Sequence, residues 1–216
     1  MARIDRTSSR REAPASKADL QAARRRQAIL AAAVSVIASH GLSNTTIERV
    51  AGRAKVAAGT VLFYFGSKER LLLEALTGIA EEFDEARRKA IAKAGDDPAA
   101  GLAALVEVSF HAKVSAPDKV AVWYAFWGEA NARKVYRDLV GSHDDDYEQS
   151  VRGLVQRLID AGPREDLDAD WVAGGFIGLL ETLWQDILTE SRAFDRKRAV
   201  RIARAYLTGV FQRPFP

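Results

Sequence analysis

The chain has 216 residues, 48% of them hydrophobic, which is material for one domain or two small ones with a sizeable core. It holds no cysteine, which excludes disulfides, thiolate catalysis and Cys-ligated zinc, and no run of about 18 apolar residues or signal-like N-terminus, so a cytoplasmic protein with no membrane partner is expected. The net charge of +3 conceals an asymmetry: residues 1–70 hold 13 Lys/Arg against 5 Asp/Glu, a net +8, whereas the other 146 hold 19 against 24, a net −5.

Residues 1–16, MARIDRTSSRREAPAS, are polar and show no apolar period, so a disordered basic arm is expected. Its Arg3, Arg6, Arg10 and Arg11 either reach phosphates and a minor groove or serve a solubilising tail. From Lys17 the pattern turns helical. Leu30, Val34, Ile37 and Ala38 mark one face of a helix that ends at Gly41. Thr45 and Glu48 stand at capping-box spacing and predict the start of a second helix, on which Ile47, Val50, Ala51 and Ala54 form one apolar stripe. Lys55 and Val56 form a turn. A third helix is predicted from Ala57 to Phe65, after which Gly66 interrupts the chain and Ser67 caps a fourth. Residues 17–66 thus read as a three-helix domain with a core of Leu30, Val34, Ile37, Leu42, Ile47, Val50, Val61 and Phe65.

The fourth helix runs towards Lys93 and carries Leu71, Leu72, Ala75, Leu76, Ile79 and Phe83 on one side. At roughly 25 residues it suits a strut, so residues 67–216 are expected to form a second helical domain that begins inside it. Gly95-Asp96-Asp97-Pro98 breaks the chain. Further helices are predicted near 98–114, 117–131, 132–161 with a break around Gly141, 168–189 and 194–211, which makes the fold all α with about nine helices.

The segment from Thr45 to Lys68 resembles the helix-turn-helix of the TetR (tetracycline-repressor-like) family, through Val56, Gly59, Thr60, Tyr64, Phe65, Ser67, Lys68 and Glu69. Two positions depart from the family's pattern: Ala57, often Ser, and Leu62, often Tyr. The resemblance implies a regulator, a repressor in type, acting on double-stranded DNA. Its contacts would come from Thr46, Lys55, Gly59, Thr60, Tyr64 and Lys68, with Ala57, Ala58, Leu62 and Phe63 as a largely apolar reading surface. It also implies a homodimer on a palindromic operator, because two reading heads about 34 Å apart meet successive major-groove faces. The positive charge of the first 70 residues coincides with this motif, as phosphate binding requires.

In the second half, Trp123, Phe126 and Trp127 share a helical face, and Glu181 with Trp184 places an acid on an otherwise apolar helix. Aromatic stripes at this spacing are ordinarily core; a carboxylate among indoles also suits a quaternary ammonium group, which is held by cation–π attraction. These residues resemble the choline-responsive betaine-operon repressors within the same family. The resemblance implies a small-molecule effector, cationic in type, bound by Phe110, Trp123, Phe126, Trp127, Glu181 and Trp184.

No metal site is expected, since the run His143-Asp144-Asp145-Asp146 points its acids around a helix in different directions and reads as a solvated helix start. With three histidines, no Gly-rich phosphate loop, no Gly-x-Ser-x-Gly elbow and no His-x-x-x-His pair, neither an enzyme nor a cofactor is expected. The competing reading is a DNA-binding architectural protein whose aromatics are all core.

Overall fold

A computed structural model describes residues 16–190 and 193–215; the basic arm expected over residues 1–16 lies outside them except for Ser16. The described residues form α1 (Lys17–His40), α2 (Ile47–Ala54), α3 (Ala58–Phe65), α4 (Lys68–Ala94), α5 (Pro98–Ser109), α6 (Pro117–Gly128), α7 (Ala130–Asp160), α8 (Ala169–Thr189) and α9 (Arg196–Phe211), with no strand among them. None of these helices is long and apolar enough to cross a membrane.

Helix starts follow local chemistry. Ser16 opens α1 with a reciprocal capping box to Asp19, while Ser67, Asp97, Asp168 and Asp195 accept backbone N–H groups at the starts of α4, α5, α8 and α9. Gly41, Gly66 and Gly95 end α1, α3 and α4 at φ of 74°, 76° and 73°, where a side chain would be strained.

The α2 cap sits one residue later than the Thr45–Glu48 box predicts. Thr46 accepts from Arg49 N–H, while Thr45 is fully buried and donates its hydroxyl to the Gly41 carbonyl at 2.7 Å. The buried face of α1 is also turned by one residue, onto Ile29, Ala33, Val36 and Ile37, which leaves Leu30 and Val34 on its flank. Glu129 separates α6 from α7, two residues before the predicted division, and α7 runs through Gly141 without a break.

Two cores result. The first joins α1–α4 and takes Val122 and Phe126 from α6; the second joins α5, α7, α8 and α9. Between them, on α4, lie Asp84 and Arg87, both nearly inaccessible and paired at 3.0 Å. Arg87 also donates to Ser150 Oγ at 2.9 Å and lies over the Tyr147 ring, tying α4 to α7.

Candidate nucleic-acid interface and ligand cavity

The helix-turn-helix is closed from within by Val50, Ala51, Val61 and Phe65, and Arg26 stacks its guanidinium 5.1 Å from the Phe65 ring. The ten candidate DNA-contacting residues fall on the α2 start, the α2–α3 turn, α3 and the α4 start. Thr46 is the α2 cap, Lys55 makes the turn in a left-handed conformation (φ 57°) with its side chain exposed, and Ala57 precedes α3. On α3, Gly59 is exposed, Ala58, Thr60 and Tyr64 are half-buried, Leu62 is 44% exposed and Phe63 is 84% exposed. Lys68 follows the Ser67 cap in the first turn of α4.

Gly59 and Phe63 make no sense in terms of the fold alone. A glycine within a helix costs about 1 kcal/mol against alanine, yet a Cβ at Gly59 would meet nothing within 4 Å. An exposed phenyl ring on a short helix likewise gains little from the chain itself; it touches Tyr64 edge-on at 5.4 Å. Both features suit a surface against which another molecule's backbone is laid.

A cavity of about 350 Å³ opens where α4, α6, α7 and α8 meet. Phe83 contacts Tyr147 and Trp184 edge-to-face at centroid distances of 5.7 and 5.5 Å, and Trp184 is held by an indole N–H donated to the Ser109 carbonyl at 2.9 Å. Trp123 and Tyr124 come from α6, and Trp127, 62% exposed, stands at the mouth. Tyr124 donates its hydroxyl to the Glu181 carbonyl at 2.9 Å, which joins α6 to α8.

The walls are acidic. Asp84, Asp144, Glu148 and Glu181 all line the cavity, from three helices. Asp84 is paired with Arg87 and His143. Burial of its carboxyl, followed by the charge of Glu148, holds Glu181 above the usual carboxylate range. The phenol of Tyr124 is pushed up to about 12, first by burial and then by Glu181, and burial raises Tyr147 further. The cavity thus combines π faces with negative potential, the condition under which an organic cation is attracted and an anion repelled.

Of the six candidate ligand residues, Trp123, Trp127, Glu181 and Trp184 line this cavity. Phe126 is turned into the core around α1–α4, and Phe110 is buried in the second core beside Phe194, at a ring distance of 6.4 Å, so neither reaches it. The cavity adds Phe83, Asp84, Tyr124, His143, Asp144, Tyr147 and Glu148. His143 and Asp144 lie within α7, so the solvated helix start expected there is not formed. The tertiary neighbours that make Phe83 and Tyr147 a wall leave no signal at helical spacing.

Residues 98–212 match the family described as BetI-type transcriptional repressor, C-terminal, and residues 29–75 match the bacterial regulatory proteins of the tetR family. An HTH-type transcriptional regulator BetI from Agrobacterium fabrum is 33% identical over 162 residues, covering 74% of this chain and 75% of that protein. Its counterpart from Paraburkholderia phytofirmans is 31% identical over 188 residues, covering 85% and 91%. Among solved structures, a transcriptional regulator from Saccharomonospora viridis in complex with choline is similar at a TM-score of 0.70 and 25% identity, over 86% of this chain and 96% of that one. A transcriptional regulator from Pseudomonas aeruginosa shares the fold at a TM-score of 0.75 and 23% identity, over 88% and 92%. With the motif of α2 and α3, the exposed side of α3 and the cavity in one chain, these matches place it: the chain belongs to the TetR family of bacterial regulatory proteins, with a BetI-type C-terminal region, and is a ligand-responsive DNA-binding repressor rather than an enzyme.

Proposed function

We propose that this chain is a cytoplasmic homodimeric repressor that holds a palindromic operator through α3 and releases it when an organic cation, choline or another quaternary ammonium compound, enters the cavity among α4, α6, α7 and α8. The observation that carries the reading is a cavity of aromatic walls and carboxylates that takes one wall from a helix leading straight to the reading head: Ala80, Phe83 and Asp84 line it, and the same α4 begins at Ser67 and Lys68. The choline bound to the Saccharomonospora viridis protein agrees with that chemistry.

Residues 17–66 then act as the reading head and residues 67–216 as the effector and dimer body. An exposed face of α8 supports pairing of bodies: Trp171 is 82% exposed, and a Cβ at Gly174 or Gly178 would meet nothing within 4 Å. Gly175 serves the subunit itself, since a Cβ there would come 2.5 Å from the Tyr206 hydroxyl of α9. Effector binding releases the operator to the extent that the cation prefers the form with low DNA affinity.

Calorimetry with choline and with a neutral isostere tests the reading. Binding of choline alone, abolished by Trp127→Ala and weakened by Glu181→Gln, is expected; equal binding of the neutral compound would overturn it. The same titration carries a pH signature. A bound cation favours ionised Glu181 and lowers its pKa from the raised value of the free protein, so affinity should rise with pH up to that value and level off above it. Glu181→Gln should remove the slope, measured as choline affinity between acid and neutral pH.

A further inference from the structure

Helix α4 is not the only element that touches both the cavity and the reading head. α6 lies between them. Its Trp123, Tyr124 and Trp127 line the cavity, while its Val122 and Phe126 are buried in the core around α1–α4. At its C-terminal end, Glu129 interrupts the helical path at φ −89° and ψ 120° before α7 begins. There its carboxylate accepts a hydrogen bond from Ser43 Oγ at 2.9 Å, joining residues 86 positions apart in the chain.

Ser43 belongs to the short connection between α1 and α2. That connection is cross-tied: Thr45 donates to the Gly41 carbonyl, Asn44 donates to the His40 carbonyl at 3.2 Å, and Arg49 of α2 donates to the Asn44 carbonyl. A displacement at Ser43 is therefore delivered to the start of α2. The groove around the Ser43–Glu129 bond is lined by Tyr124 as well, so one side chain belongs both to this groove and to the cavity.

We infer that Ser43–Glu129 is a latch by which the end of α6 grips the α1–α2 connection and holds the reading head in its operator-binding form. The inference rests on the cavity being the effector site. While Tyr124 bridges to the Glu181 carbonyl, the cavity face of α6 is tied to α8 and Glu129 stands where Ser43 can reach it. An occupant inserted beside Tyr124 loosens that tie, turns α6 about its buried Val122–Phe126 side, and carries Glu129 away from the α1–α2 connection. The latch therefore belongs to the operator-binding form, and its loss should shift the population towards the induced form.

The experiment measures operator affinity by fluorescence anisotropy and choline affinity by calorimetry without DNA, for the wild-type chain, Ser43→Ala, Glu129→Ala and Glu129→Gln, together with melting temperature. Each alanine variant should lose operator affinity, within a total factor of about threefold to tenfold, the value of one ordinary hydrogen bond, since this one is solvent-exposed. Each should gain choline affinity as well, because a shift between two forms divides the latch's factor between a weaker operator affinity and a stronger choline affinity, whose product it is. The Ser43→Ala/Glu129→Ala double variant should match the singles, and Glu129→Gln, which keeps an acceptor, should fall between them and wild type. Unchanged affinity for both operator and choline overturns the latch, and so does a weakened operator affinity with unchanged choline affinity. Failure of choline to bind the wild-type chain strikes the cation reading instead; the latch then stands or falls on operator affinity at unchanged melting temperature.

Discussion

Asp84→Ala is expected to lower the unfolding free energy by about 3–5 kcal/mol, because it strands the guanidinium of Arg87 without a carboxylate in a nearly inaccessible site. Ser150 Oγ and the Asp146 carbonyl would remain as partners, and neither carries charge. Arg87 Nε has no hydrogen-bond partner even in the intact protein, so nothing local stands ready to compensate. Removing both charges is a different perturbation: Asp84→Leu with Arg87→Met should recover most of the loss, since two buried ions exchanged for apolar side chains of similar volume are often neutral or better. Urea denaturation of the single and double variants measures the difference. A single variant no less stable than the double would show that solvent reaches the pair. The double variant should also respond poorly to effector, since Asp84 lines the cavity from α4.

A second large effect separates two neighbours on α3. Phe65→Ala should cost about 3–5 kcal/mol of stability through the cavity it leaves, as Phe65 is 1% exposed and supports the Arg26 contact. Phe63→Ala, two residues away and 84% exposed, should change stability by no more than about 0.5 kcal/mol. Its cost should fall on operator binding, at about 1–3 kcal/mol, if the ring meets base edges such as a thymine methyl. Chemical denaturation and anisotropy on the same two proteins give opposite rankings under this view. Identical losses of operator affinity and stability in Phe63→Ala would return the ring to a structural role. Lys68→Ala supplies the contrast: it should weaken all sequences alike and flatten the salt dependence, as a lost phosphate contact does.

Much of the fold was legible because most of the helices carry their own punctuation. Ser, Asp and Gly mark the ends of α1, α4, α5 and α8, and the motif from Val56 to Glu69 places α3 and the start of α4. The misplacements follow from competition between neighbours of equal local merit. Thr45 and Thr46 both suit a cap; tertiary packing decides, burying the first and leaving the second to cap. Glu129 is an ordinary helix former by propensity, and its role as the break between α6 and α7 comes from the two bodies α6 must touch.

The cavity was legible in part, on α6 and α8, where aromatics recur at helical spacing. Trp123, Phe126 and Trp127 nonetheless part company, because α6 is sandwiched: two of the three look into the cavity and Phe126 into the core of the head. The contributions of α4 and α7 were hidden for a further reason. An acid and a base at three-residue spacing, as in Asp84 and Arg87, are as common on an exposed helix face, and only the packing of α7 across them makes them a buried ion pair beside the cavity.

The placement of Val122 and Phe126 bears on how new operator specificities are to be made in such chains. A head cut out at residue 66 leaves behind Leu71, Leu76, Val122 and Phe126, four of the side chains that close its core. Transplanting the head onto a foreign body therefore exchanges a shared interior for a mismatched one. With α3 as the proposed reading helix, recoding is better confined to its exposed Gly59, Leu62 and Phe63, which belong to neither core.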